Sequence, residues 1–149
     1  MSSYRQLLVA IDLTEQSRAI ATKSVELAKQ WQGQVRLLHV IEFVPVEPMS
    51  DALVPVVQID DRLVARTKEQ IVGLASSLGL SADCCRVATG NVKAEILRQA
   101  REVGADLIVL GCRERHGLSI LVNLTEDTVL HAAPCDVLAI RVGPAPRVG

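Results

Sequence analysis

Aromatic residues are almost absent from this chain, since its 149 residues include one Trp, one Tyr and one Phe. The chain therefore lacks the stacking platform with which proteins bind single-stranded nucleic acid. A basic surplus is missing too, because 16 Lys and Arg residues stand against 17 Asp and Glu residues, giving a net charge of −1. Binding to nucleic acid or to an anionic membrane surface is therefore not expected.

Long apolar segments are also lacking. No run approaches the roughly 18 apolar residues of a membrane span. The N-terminus enters a strand-like segment without the apolar stretch of a secretory signal. The sequence therefore predicts a soluble, cytoplasmic protein.

The four cysteines do not have the spacing of a metal site. No C-x-x-C pair occurs, and no His lies at zinc-ligand spacing from a cysteine pair, so no metal is expected. Cys84 and Cys85 are adjacent and would point to opposite faces of a strand. We interpret the thiols, including Cys135, as small core residues. Cys112 is the exception, because it falls in a predicted loop beside the candidate ligand site.

Aliphatic residues are abundant, and their pattern predicts an α/β fold in one domain, residues 1–143. Helical patterns alternate with strand patterns, which is typical of right-handed β-α-β units and a parallel sheet. The tail at 144–149 is predicted to be disordered, and the proline-rich connection from Glu42 to Pro55 is either a spacer or a lid. The predicted strands cover 7–11, 35–41, 83–88, 105–111 and 136–142. The predicted helices lie between Thr14 and Gly33, over 56–78, between Gly90 and Gly104, and over 123–133.

The sequence also predicts the roles of individual residues in these elements. Thr14 is expected to cap the first helix, and His39 is interpreted as a hydrogen-bonded core histidine. On the second helix, the residues expected to face inward are Leu63, Ile71, Leu74 and Leu78.

The two most apolar strands end at Asp12 and Gly111 and are expected to be the central pair. Ligands of such sheets bind beyond the carboxyl ends of the strands, where the strand order reverses. Asp12 could accept hydrogen bonds from a ribose or an adenine there. The alternative, favoured on this residue alone, is that Asp12 caps the following helix.

The segment after Gly111 is a second candidate, because a phosphate could rest on backbone amides at a helix start. Carboxylates surround that place, however. A charge pair about 5 Å apart costs on the order of 3 kcal/mol at an effective dielectric near 20, whereas the helix dipole returns only about 0.3–1 kcal/mol. Repulsion prevails unless Arg113 and Arg115 turn inward. The carboxylates are Glu114, Glu126 and Asp127.

Several segments together resemble the universal stress protein family, and the resemblance covers nearly the whole chain. It implies a Rossmann-like five-stranded parallel sheet of order 3-2-1-4-5, a homodimer joined through the last strand, and a stress-response role. The interface residues implied are Val137, Leu138, Ile140 and Val142. The segments that carry the resemblance are LVAIDLT at 8–14, LLHV at 37–40, Gly90 ahead of a helix with Ile96, ADLIVLG at 105–111, and VLHAAPCDVL at 129–138.

The family's ATP-binding members carry G-x2-G-x9-G-[ST] after the fourth strand. On this chain the motif has Gly111 and Thr125 in place, but Glu114 and Leu124 occupy the other two glycine positions. The chain thus resembles the A-type members, which lack the motif and do not retain ATP, so no cofactor is expected. If a nucleotide binds, the residues expected at it are Asp12, Val40, Gly111, Arg113 and Thr125.

The leading hypothesis is a cytoplasmic homodimer that is not an enzyme and acts through an unidentified protein partner. The first alternative is an ATP-binding member that works as a nucleotide-dependent switch or a weak ATPase. The second alternative is a redox sensor that uses the Cys112 thiol.

Overall fold

The computed structural model describes residues 4–42, 61–113, 129 and 131–142. Three predicted segments lie wholly or mostly outside these residues: the connection that ends at Pro55, the helix at 123–133, and the tail at 144–149. The described strands are β1 (Gln6–Ala10), β2 (Gln34–Glu42), β3 (Cys85–Gly90), β4 (Leu107–Arg113) and β5 (Asp136–Val142). The described helices are α1 (Ser17–Trp31), α2 (Asp61–Ser77) and α3 (Val92–Val103).

All four strand pairings are parallel, and the strand order is β3-β2-β1-β4-β5. This confirms the predicted sheet. The central strand β1 is apolar on both faces, and its residues Leu8 and Val9 are fully buried. Strands covered by helices on both faces carry such continuous apolar runs. This agrees with β1 as the middle strand and β4 as its neighbour, with β2 on the other side.

Two apolar clusters, one on each face of the sheet, form the core. Val9 and Leu37 pack with α1 and with Ile71 of α2 on one face. Leu8 and Ile108 pack with α3 on the other. Truncation of such a fully buried leucine to alanine costs about 2–5 kcal/mol.

The amino end of β1 is tied to β4 and β5 by polar side chains. The Asp106 Oδ2 atom accepts hydrogen bonds from the backbone N–H groups of Arg5 and Gln6, at 2.8 and 2.9 Å. The Tyr4 hydroxyl donates to Asp136 at 2.7 Å, and this bond raises the pKa of Tyr4 above its usual value. These contacts fix where the three strands begin relative to one another.

Helix α3 begins and ends where the sequence predicts. The Asn91 Oδ1 atom accepts a hydrogen bond from the Ala94 N–H at 3.0 Å, so Asn91 is the N-cap. Gly104 ends the helix with φ of 63°, a left-handed conformation that glycine adopts without steric cost.

Helix α1 differs from the prediction at both ends. It begins at Ser17 after Gln16, which makes no side-chain cap, so the prediction that Thr14 caps it is wrong. At the other end Gln32 has the left-handed conformation, with φ of 55°. Gly33 follows, and a Cβ there would lie 2.5 Å from the Tyr4 carbonyl oxygen. Gly33 is therefore required for close approach to β1.

Three further predictions need correction. Leu63 is 43% exposed and not inward-facing, because the packed face of α2 is formed by Thr67, Ile71 and Ala75 and does not include the turn that carries Leu63. Strand β4 continues past Gly111 to Arg113 because it pairs with β5 along that length, so Cys112 lies in a strand and not in a loop. Strand β3 starts at Cys85, after a 3-10 turn over Ala82–Cys84.

In the parts of the chain that the structure describes, no helix combines the length and the apolar character needed to cross a bilayer.

We expect Asn91→Ala to lower the free energy of unfolding by about 1 kcal/mol, because the Ala94 N–H loses its acceptor. Asn91→Asp should keep the stability, since a carboxylate also accepts this bond and favours a helix N-terminus. Urea unfolding followed by far-UV circular dichroism measures both variants. Equal stability of Asn91→Ala and the wild type would contradict this assignment of the cap.

Candidate functional site

The register of the sheet brings three of the predicted nucleotide residues to one edge. Ala10 pairs with Leu38, so the same register continued by two residues places Asp12 level with Val40. Val9 pairs with Val109, which places Gly111 level with Ile11. The structure thus gathers these residues at the carboxyl ends of the central strands, where parallel α/β sheets bind ligands.

The turn after β1 is organised by one carboxylate oxygen. The Asp12 Oδ1 atom accepts hydrogen bonds from the Thr14 N–H at 3.1 Å, the Thr14 hydroxyl at 2.7 Å and the Ser17 hydroxyl at 2.8 Å. Between them, Leu13 has φ of 60°, an uncommon conformation for a residue with a side chain. Asp12 therefore shapes the turn that leads into α1.

This geometry modifies the helix-cap interpretation of Asp12. Thr14 precedes the helix, so Asp12 does not satisfy an N–H group of the first helical turn. Asp12 instead holds the buried hydroxyl of Ser17, the first residue of α1. The sequence analysis did not identify Ser17, although a serine five residues after a strand-terminal aspartate was the available signal.

His39 supports the same turn from the neighbouring strand. Its Nδ1 atom lies 2.8 Å from the carbonyl oxygen of Ile11, the residue before Asp12. Because a carbonyl oxygen can only accept, Nδ1 carries the proton and donates it. His39 is half-buried on β2, so the prediction of a hydrogen-bonded structural histidine is confirmed.

A cavity of about 430 Å³ lies beside the turn, between the start of α1 and the middle of α2. Leu13 and Leu74 give it apolar walls, while Arg18 and Gln70 contribute polar groups. A volume of this size is within the range of small-molecule pockets.

The other predicted nucleotide residues are only partly described. Arg113 pairs with Val142 through its backbone, while its side chain lies outside the described residues. Thr125, Glu114 and Leu124 lie outside them altogether. The predictions for these four side chains stay predictions.

The predicted interface residues lie on β5, at the edge of the sheet. Val137 and Leu138 are half-buried and pack against opposite faces of the core. Ile140 is only 7% exposed and belongs to the core cluster beside α1. The side chain of Val142 lies outside the described residues.

Two of the described thiols are held in their protonated form. Burial raises the pKa of Cys85, and Cys84 adds to the shift. Burial, followed by the nearby charge of Asp136, raises the pKa of Cys135. These thiols are poor nucleophiles at neutral pH, which agrees with the interpretation of them as core residues. The Cys112 side chain lies outside the described residues, and its redox role stays a prediction.

A parallel sheet of order 3-2-1-4-5 with polar residues beyond its central strands defines a Rossmann-like α/β protein. Residues 3–141 match the sequence profile of the Universal stress protein family. The chain belongs to this family, and membership supports a stress-response role.

Relatives and solved structures agree with this assignment. Universal stress protein A homolog 2 of Coxiella burnetii is 36% identical over 143 residues, which cover 95% of this chain and 98% of that protein. The structure of universal stress protein UspA from Lactobacillus plantarum has a TM-score of 0.73 at 24% identity and covers 95% of this chain and 100% of that one. A universal stress protein solved in complex with cAMP has a TM-score of 0.60 at 17% identity. The match covers 93% of this chain and 98% of that one. At these identities the two solved structures support the fold alone.

We expect Asp12→Ala to lower the free energy of unfolding by about 1–3 kcal/mol, because three donors lose their shared acceptor and the Ser17 hydroxyl is buried. Asp12→Asn should lower the free energy of unfolding by less than half as much, since its amide oxygen still accepts hydrogen bonds. Urea unfolding followed by Trp31 fluorescence measures both. Glu15→Ala, which removes a neighbouring exposed carboxylate, is the control. Equal stability of Asp12→Ala and this control would contradict the role of Asp12.

Proposed function

We propose that this protein is a cytoplasmic, homodimeric stress-response protein that acts through contacts with a protein partner and has no catalytic activity. The observation that carries the proposal is the position of β5. It pairs with β4 on one side, and no described strand pairs with it on the other. An apolar edge of this kind is a template for pairing with another chain.

A two-fold arrangement would cover this edge with the same strand of a second copy. Two identical strands meeting antiparallel across a two-fold axis are self-complementary. Because Ile140 is buried in the core, its contribution to pairing would come from its backbone. Val137 and Leu138, which are half-buried, are better placed to contribute side-chain contacts.

The polar groups at the carboxyl edge support a role without catalysis. Asp12 holds the Thr14 and Ser17 hydroxyls, and the His39 Nδ1–H group donates to a backbone carbonyl. Each hydroxyl donates its single proton to the Asp12 carboxylate, whereas an activated nucleophile donates its proton to a base such as imidazole. Cys84, Cys85 and Cys135 are free thiols, which is compatible with a reducing cytoplasm.

The alternative, an ATP-binding switch or weak ATPase, is favoured by one observation. Asp12, Val40 and Gly111 converge at the edge where a nucleotide would bind. The structural neighbour solved with cAMP shows that a related fold can hold a nucleotide. The sequence argues against ATP binding, because Glu114 and Leu124 replace two glycines of the ATP-binding motif.

We expect wild-type protein to be a dimer at micromolar concentration. Leu138→Lys should raise the dissociation constant of the dimer at least tenfold, because it places a charge beside the paired edge. Light scattering coupled to size-exclusion chromatography measures the mass. Leu63→Lys is the matched control, since Leu63 is exposed on α2 and away from β5. A monomeric wild type would contradict the proposed assembly.

We expect wild-type protein to bind ATP negligibly in calorimetry and the double variant Glu114→Gly/Leu124→Gly to gain measurable affinity. The substitution removes a repelling carboxylate and restores the close backbone approach that glycine allows. Rescue should be partial, because Glu126 and Asp127 remain. Micromolar ATP binding by the wild type would establish the alternative and overturn the leading proposal.

A further inference from the structure

Tyr4 connects parts of the structure that are far apart in the chain. Its hydroxyl donates to the Asp136 carboxylate at 2.7 Å, and Asp136 is the first residue of β5. Its ring meets the ring of Trp31, the last residue of α1, edge to face with the ring centres 4.9 Å apart. Tyr4 therefore links the strand proposed for assembly to the end of α1.

The sheet fixes the position of Tyr4 as well. The next residue, Arg5, donates its N–H to Asp106 at 2.8 Å and accepts from the Gln34 N–H at 2.7 Å. The Tyr4 carbonyl oxygen lies so close to Gly33 that a Cβ there would be 2.5 Å away. A side chain on such a support loses little conformational freedom when its hydroxyl bonds, which strengthens its hold on the acceptor.

The start of β5 is held less firmly than the central strands. β5 pairs with β4 on one side, and no other described strand pairs with it. Asp136 is exposed, and Val137 and Leu138 are only half-buried. Strand ends with few buried contacts open more readily than core strands. The bond from Tyr4 therefore reaches β5 at the end where packing holds it least.

A two-fold pairing of β5 would involve this end twice. In an antiparallel pair of identical strands, the start of each strand lies opposite the end of the other. Fraying near Asp136 would therefore remove backbone hydrogen bonds at both ends of the pair. Backbone groups would provide most of this pairing at the centre too, because the side chain of Ile140 is buried in the core.

We propose that Tyr4 is a positioning residue for assembly, because its bond to Asp136 holds the start of β5 in the conformation that pairs with a second copy. The inference rests on the proposed function, in which β5 joins two copies of the chain. Coupling of this kind is reciprocal, so pairing of β5 favours the bond between Tyr4 and Asp136 in turn.

Tyr4→Phe tests the proposal directly, because it removes the hydroxyl and keeps a ring against Trp31. We expect it to raise the dissociation constant of the dimer about tenfold, since two symmetry-related bonds are lost. Thr67→Val is the matched control, because it also removes a hydroxyl that donates at 2.7 Å, on α2 and away from β5. Its dissociation constant should equal that of the wild type. Analytical ultracentrifugation measures all three proteins.

Variants of Asp136 separate the bond from any direct contact of this residue with the second copy. Asp136→Ala should weaken the dimer, and Asp136→Asn should weaken it less, because the amide oxygen still accepts from Tyr4. Adding Tyr4→Phe to Asp136→Ala should weaken the dimer no further, since the two residues act through one bond.

An optical measurement tests the reciprocal effect. Tyr4 is the only tyrosine of the chain, so tyrosinate absorbance reports its ionisation alone. The bond to Asp136 is the main cause that raises the pKa of Tyr4. We expect this pKa to be higher in the dimer than in the monomer. Leu138→Lys provides both states by dilution across its raised dissociation constant, with the same charges present in each. A purely structural bond would give one pKa at all dilutions.

Three results would overturn the inference and leave the proposed assembly standing: equal dissociation constants for Tyr4→Phe and the wild type, an equal loss in Thr67→Val, or a Tyr4 pKa that does not change with assembly. A monomeric wild type would instead overturn the proposed function, and the inference would fall with it.

Discussion

The placement of β1 between β2 and β4 is the constraint on which the rest of the structure depends. Leu8 and Val9 are fully buried on opposite faces of the sheet, whereas successive residues of the edge strand β5, Val137 and Leu138, are only half-buried. The chain leaves β1 toward β2 and β3 and then returns to β4 on the other side. That reversal opens the space beyond Asp12 and Gly111, and it leaves β5 as an edge strand.

Asp12 shows how folding and binding compete for one side chain. Its Oδ1 atom organises the turn into α1 through Thr14 and Ser17, while His39 fixes the preceding carbonyl. A ligand that used this oxygen would have to replace hydrogen bonds that the fold already makes, at a cost of about 0.5–1.5 kcal/mol each. Those existing hydrogen bonds favour a turn retained for structure, which is consistent with the proposal that this chain does not retain ATP.

Sequence reasoning predicted the features that depend on local pattern. The apolar runs of β1 and β4 and the end of α3 at Gly104 follow from burial and helix-termination rules, and each is found in the structure. The features it missed depend on tertiary contacts. The extension of β4 to Arg113 follows from pairing with β5. The Ser17 hydroxyl bonds Asp12 across a turn in which Leu13 is left-handed. No periodicity in the sequence contains that information.

The contact surface proposed for assembly lies where strand pairing stops. At β5 the sheet ends along a whole strand, which offers a long, self-complementary edge to a second copy. Ile140 is buried in the core, and Val137 and Leu138 are half-buried against opposite faces of the sheet. The proposed pairing would therefore depend on the backbone of β5 more than on its side chains.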